Sequence, residues 1–282
     1  MTDRPAGEHV LFEEVATAYD QLPVEFFGPV GERLVRLASV GPGERVLDVG
    51  CGRGAVTVPA ARATGPTGRV LGIDLSPRMA GETGRLVGEL GLGQARARVM
   101  DGQDPDLVPG TFDAVVGSMS VHMIDDLPAA YRAYRRLLRP GGRLGLAAPA
   151  TDAAPEPDGL PRVFGLRTIA AMAERYATGS GVYPNSESFG GRDRLRAELS
   201  RSGFAGVRLT VEDAYIRAAS PYDVVRWTWT HGMRRLWARV EPSRRADLEE
   251  RIAAEIGERH IVEGRVVIPV PVLYATGTRP PH

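Results

Sequence analysis

The chain contains no lysine and a single cysteine, Cys51, among its 282 residues. One thiol excludes an internal disulfide and a cysteine-rich metal site, so no metal is expected, and it fits a reducing compartment. Charge imbalance is also missing: acidic and basic side chains number 35 each. That balance creates no global field toward nucleic acid or an anionic membrane and favours small neutral partners. No uncharged run approaches the roughly 20 residues of a membrane helix, and Met1 to Gly7 lacks the apolar segment of a secretion signal. These absences predict a cytoplasmic protein bound to neither nucleic acid nor membrane, with a homodimer left open. Internal repeats are lacking, and the want of lysine beside 34 Gly and 22 Pro points to GC-rich coding.

What is present, 43% hydrophobic residues, suffices for a full core in one domain with additions. From Arg45 to Pro149 short β-branched runs alternate with helical stretches, the pattern of βαβ units on a parallel sheet. Strands are predicted at Val46–Val49, Val70–Ile73, Ala97–Val99, Phe112–Val116 and Arg143–Ala147. A helix over Leu127–Leu138 is stopped by Arg139-Pro140-Gly141-Gly142. Beyond Pro149 come a Pro/Ala/Asp-rich loop (151–159) and helices at Leu160–Ala177 and Asp193–Ser202. A strand from Val207 toward Ile216, helical blocks at Pro221–Val240 and Pro242–Arg259, and a last strand at Val266–Thr276 follow.

Val46-Leu47-Asp48-Val49-Gly50-Cys51-Gly52-Arg53-Gly54 is a strand ending in a glycine-rich turn, with Ala55–Ala61 opening a helix. Glycine lets the backbone approach a ligand closely, and the free N–H groups at a helix start attract a carboxylate. A nucleotide-like cofactor fits such a turn, although nicotinamide and flavin sites share the geometry. The spacing here is G-x-G-x-G, without the G-x-G-x-x-G step. Asp74 ends the second strand, where a carboxylate accepts hydrogen bonds from ribose hydroxyls. Asp101-Gly102 follows the third strand and brings a carboxylate and a bare backbone N–H to an adenine edge.

Together with VLGIDLSPRM (70–79), MDGQD (100–104), FDAVVGSMSVHMIDDLPAAYRAYRRLLRPGG (112–142) and the AxxYD of Ala16 to Asp20, this loop resembles class I S-adenosylmethionine (SAM)-dependent methyltransferases. The branch is the one similar to ubiquinone/menaquinone-biosynthesis enzymes (methyltransferase type 11) and actinobacterial secondary-metabolite enzymes. The resemblance covers residues 12–149 and implies an α/β fold: a Rossmann-like, doubly wound, seven-stranded sheet, parallel except for its last strand, with an N-terminal helix and helical lid insertions. Residues 1–282 then form one domain: a cap (1–40), a SAM-binding core (41–149), a lid insertion (150–205) and the last two strands with a helical insertion at 221–259 (206–282). It implies that Gly50, Gly52 and Gly54 shape the cofactor pocket, with Cys51 among its contacts as a packing residue, and that Asp48 supports the methionine end. Asp74 holds the ribose, Leu75 lies beside the adenine, Asp101 and Gly102 read its amino edge, Ser118 offers backbone to the methionyl amine, and Tyr19 closes the pocket.

For the acceptor, His122 past the fourth strand and His231 in the Trp-rich stretch 224–237 are candidate bases, and Tyr19 a third catalytic candidate. Trp227, His231 and His122 are the expected acceptor-pocket lining. Helical spacing puts Val225, Trp229, Met233 and Leu236 on one face and Val224, Trp227 and His231 on a neighbouring one. Capping or lining by a histidine and core packing by the helix compete with these readings. Methyl transfer from a sulfonium needs mainly alignment and desolvation, and no catalytic dyad is visible. The expected reaction is therefore methylation of an aromatic or heterocyclic secondary metabolite, leaning to ring carbon, with S-adenosyl-L-homocysteine as the product. O- or N-methylation and a SAM-binding protein that does not methylate are the alternatives; a nicotinamide dehydrogenase is disfavoured by the glycine spacing.

Overall fold

The structure, a computed structural model, describes residues 12, 13, 15, 16, 19, 22–150, 166–176 and 191–281. In chain order the elements are β1 (Val24–Glu25), α1 (Phe27–Leu37), β2 (Arg45–Val49), α2 (Thr57–Thr64), β3 (Arg69–Asp74), α3 (Pro77–Glu89), β4 (Ala95–Val99) and β5 (Phe112–Ser118). A 3-10 turn at Val121–Met123, α4 (Leu127–Leu137), β6 (Leu138–Pro149), α5 (Arg167–Tyr176), α6 (Arg192–Arg201), β7 (Ala205–Ala218) and α7 (Pro221–Thr228) come next. The chain then runs through α8 (Arg234–Arg239), α9 (Pro242–Arg259), β8 (Ile261–Val262) and β9 (Arg265–Thr278). The loop expected at 151–159, the start of the helix expected from Leu160, and Asp20 lie outside the described residues.

The sheet order is β1-β7-β9-β6-β5-β2-β3-β4, with β8 paired to β9. Strands β2 to β6 pair in parallel, and β9 runs antiparallel to both its neighbours, β6 and β7. The seven expected strands are therefore joined by two short ones, β1 and β8, whose two residues each are too few to show a period. Side chains alternate across the sheet, as strand geometry requires. Val46, Ala114 and Val116 face a layer built on α1, α2 and α9, while Leu47, Val49 and Val115 face one built on α4 and α6. Both faces are covered, which is why these strands read as near-continuous apolar runs.

Local signals start the helices where they do. Ser76 caps α3 by accepting from the Met79 N–H at 3.2 Å, and Asp126 caps α4 by accepting from the Ala129 N–H at 2.9 Å. Ser220 and Asp223 form a reciprocal box at the start of α7. The Pro-Gly-Gly segment behaves differently from the expected loop: β6 begins at Leu138, directly after α4, and the register against β5 slips between Phe112 and Ala114. The single helix expected over 221–240 is broken between Trp229 and Met233. Thr228 and Thr230 donate their hydroxyls back to the Val225 and Trp227 carbonyls at 2.6 and 2.8 Å, and Gly232 lowers helix propensity further. Among the described residues no helix is long and apolar enough to cross a membrane.

Candidate active site

The carboxyl ends of β2, β3 and β5 open on one cavity of about 630 Å³, the position where open α/β sheets bind ligands. Its floor is the turn after β2. Gly50 takes φ +70°, and a Cβ there would run into Ser120, so this position admits no side chain. Gly52 takes φ +52°, yet a Cβ on it would meet no protein atom within 4 Å; this glycine faces open space. Asp74 lies against the same turn, accepting from the Gly52 N–H and the Ser76 N–H, each at 2.9 Å. Burial pushes its carboxyl above the ordinary range, and the two backbone donors hold it back.

Of the residues expected at the cofactor, the cavity is lined by Tyr19, Gly50, Cys51, Gly52, Asp74, Leu75, Asp101, Gly102 and Ser118. Two others stand outside the lining. Gly54 turns inward toward Leu86, Val58 and Thr83. Asp48 is 1% exposed and ties β2 to α2 by accepting from Thr57 Oγ1 at 2.6 Å; burial raises its carboxyl to about 7. Cys51 packs against Gly72, and burial pushes its thiol up, so it stays protonated.

The acceptor candidates are not brought to the lining, Tyr19 excepted. Tyr19 stacks on Phe27 with centroids 5.2 Å apart, and Phe27 also lines the cavity. Trp227 and His231 sit behind Phe27, at 5.5 and 5.9 Å, and touch each other at 4.1 Å. They are thus one ring back from the space they were expected to face. Phe27 accounts for the displacement: its ring lies against both residues and takes the cavity wall in their place. His122, on the 3-10 turn, points into the core while Met123 and Ile124 take the wall. Burial lowers His122 to about 4 and His231 to about 3, so both imidazoles are neutral near neutral pH.

Several wall residues gave no clear signal in the sequence. Met119 is a non-glycine residue at φ +53°, held by its N–H on the Ala147 carbonyl at 2.8 Å; the turn it makes brings Ser118 and Ser120 to the cavity together. Arg53, in the glycine loop, donates to the Ala16 carbonyl at 3.0 Å and pairs with Glu82 at 3.1 Å, fastening the N-terminal segment to the turn below it. Glu13 repeats the tie by accepting from Ser76 Oγ and pairing with Arg78. Opposite, α8 contributes Arg235, Ala238 and Arg239.

A nucleoside bearing an amino acid fits these residues: Gly52 leaves room where a side chain would intrude, Asp74 offers acceptor oxygens at a strand end, and Asp101-Gly102 lies on the same wall. The comparisons agree with that fit. A family model described as "Methyltransferase domain" matches residues 46–142. The chain is 40% identical over 280 residues to nocamycin O-methyltransferase of Saccharothrix syringae, covering 95% of this chain and 97% of that one. It is 42% identical over 146 residues to aklanonic acid methyltransferase of Streptomyces sp. strain C5, covering 52% of this chain and 66% of that one. Among solved structures it is similar in fold to the YcgJ protein of Bacillus subtilis, with a TM-score of 0.59 at 17% identity over 89% of this chain and 98% of the other.

Proposed function

The chain belongs to the class I SAM-dependent methyltransferases of the kind found in actinobacterial secondary metabolism, and from that membership we propose that it methylates an oxygen of a small, planar, acidic metabolite. SAM is the cofactor and a small molecule the acceptor. The single observation that supports the finer reading is the make-up of the cavity wall. Beside the cofactor residues of β2, β3 and β5 it carries the rings of Phe12, Tyr19 and Phe27 and helix α8, a lining suited to a flat acceptor. No imidazole lies on the described wall, which favours an acceptor oxygen that ionises by itself near neutral pH, as a carboxylic acid or an acidic enol does. One 40%-identical relative is named for O-methylation and another for an acid, and both names favour the same choice.

Bound in this cavity, SAM supplies a methyl group on a positive sulfur that departs as a neutral thioether. The chain's own residues do the rest. Asp74 orients the ribose, Asp101 and Gly102 the adenine edge, and the backbone at Ser118 the methionyl amine, while the three rings align the acceptor and exclude water. His122 and His231 have no place as bases in this scheme, and Tyr19 serves as a lid. We read residues 1–282 as one such domain, working in the cytoplasm. The same rings favour a second reading, attack by an electron-rich ring carbon. Mass spectrometry of S-adenosyl-L-homocysteine with SAM and a panel of aromatic acids, enols and phenols, followed by carbon NMR of each product, tests both. A methyl ester or ether is expected, ring methylation would install the second reading, and SAM bound without any turnover would make the protein a non-methylating SAM binder.

A further inference from the structure

Helix α8 has two unlike faces. Leu236 and Trp237 are buried to 1% or less, and Trp237 stacks on Trp229 at 4.7 Å while donating its indole N–H to Thr228 Oγ1 at 2.8 Å. On the other face Arg235, Ala238 and Arg239, spaced i, i+3 and i+4, line the cavity. Arg239 also donates to the Tyr176 carbonyl at the end of α5, at 2.9 Å.

From this placement we propose that Arg235 and Arg239 form the acceptor's anion-recognition wall and select a substrate carrying a carboxylate. The inference rests on the methyltransferase reading above and adds to it the residues that choose the substrate. The third arginine of the cavity wall, Arg53, lies in the glycine loop, where it pairs with Glu82 and donates to the Ala16 carbonyl. Acidic wall residues are Asp74 and Asp101, at the ends of β3 and β4, and Asp125, beyond the 3-10 turn. A guanidinium has five N–H donors in a plane, so it can keep a protein partner and still grip a carboxylate with two parallel bonds. The balanced composition of the whole chain, which favoured a neutral partner, is thus compatible with a local cationic face. Lysine could not supply the paired grip, and the chain has none.

The probes are anthraquinone-2-carboxylate and its neutral amide, anthraquinone-2-carboxamide, titrated by calorimetry into the full chain in the presence of S-adenosyl-L-homocysteine. The wild-type protein is expected to bind the carboxylate about ten- to hundred-fold more tightly than the amide, the usual effect of a charge-assisted pair, with the preference shrinking as salt is raised. R235Q/R239Q should abolish the preference while SAM affinity stays unchanged. R239Q alone, at an exposed position, should reduce it and serves if the double variant fails to fold. Equal binding of the two probes, no binding of the carboxylate up to millimolar concentration, or a preference that survives R235Q/R239Q would overturn the proposal. Failure of the wild-type chain to bind SAM would instead bring down the methyltransferase reading, so the two failures are distinguishable.

Discussion

At the level of single residues the glycines of the turn differ in what a side chain would meet. Gly50→Ala should destabilise the protein, since its Cβ has no room beside Ser120, whereas Gly52→Val, strained at φ +52° but meeting no protein atom, should cost less stability and abolish SAM binding, because the branched side chain fills the open side of the turn. Calorimetry with SAM on a variant shown to be folded by circular dichroism checks the second, and retained affinity would mean that SAM sits elsewhere. Asp74→Ala should weaken SAM by about 1–3 kcal/mol, the loss of a charged hydrogen-bond partner. The buried ionisable groups set a pH dependence. His122 and His231, lowered to about 4 and about 3, take up protons more readily when unfolded, so their contribution is complete above the unfolded value near 6.5 and is lost as pH falls toward 4 and 3. Asp48, raised to about 7, acts with the opposite sign: its contribution is present below its unfolded value near 3.9 and is lost as pH rises through 7. His231→Phe should therefore flatten the fall in stability between pH 6.5 and 4 in urea titrations; an unchanged slope would mean that His231 titrates alike in both states. The strand-end Asp and turn Gly that line the cavity were legible because their pattern lies within a short spacing. His231 falls behind the ring of Phe27, and His122 is buried by its 3-10 turn while Met123 and Ile124 take the wall; no spacing reveals either.

Among the elements, the break between α7 and α8 has the largest effect on what the site is. Trp227 lies in α7, ahead of the break, and is core together with Trp237; the turn at Trp229–Met233 then starts α8, whose Arg235, Ala238 and Arg239 reach the cavity wall. The threonine hydroxyls that cause the break were visible in the sequence, but their competition with a periodic apolar pattern is decided by tertiary packing, here by Trp237 closing on Thr228 and Trp229. Trp237→Ala should cost about 3–5 kcal/mol by opening a cavity under α8, measured by denaturant unfolding, and should weaken acceptor binding more than SAM binding. Equal weakening of both ligands would show that α8 serves the whole cavity. The N-terminal segment is fixed differently, by Arg53 on Ala16 and Arg78 with Ser76 on Glu13, polar ties that can break without disturbing the core. Arg53→Gln should accordingly speed proteolysis near residue 16 and raise the SAM dissociation constant, and SAM should slow that cleavage in the wild type; cleavage indifferent to both would separate the segment from the cofactor.

For the molecule as a whole, the succession of strands and helices along the chain was readable from their alternation, the order of strands across the sheet was not, and the reversed last strand came only with the family resemblance. Its long-range partners explain why: β9 pairs along most of its length with β7 and along seven residues with β6, so its place depends on contacts far along the chain. That placement has a consequence for synthesis. The ribosome makes β6 and β7 well before the strand that belongs between them, and until residues 265–278 emerge each has a row of backbone N–H and C=O groups with no neighbour on that side. The nascent chain therefore passes through an interval in which two sheet edges stay open to solvent, the condition under which strands from different chains join. Chaperone demand and aggregation during expression should concentrate in that interval, and the charged residues along β7, Arg208, Glu212 and Arg217 among them, should help to keep the waiting edge in solution.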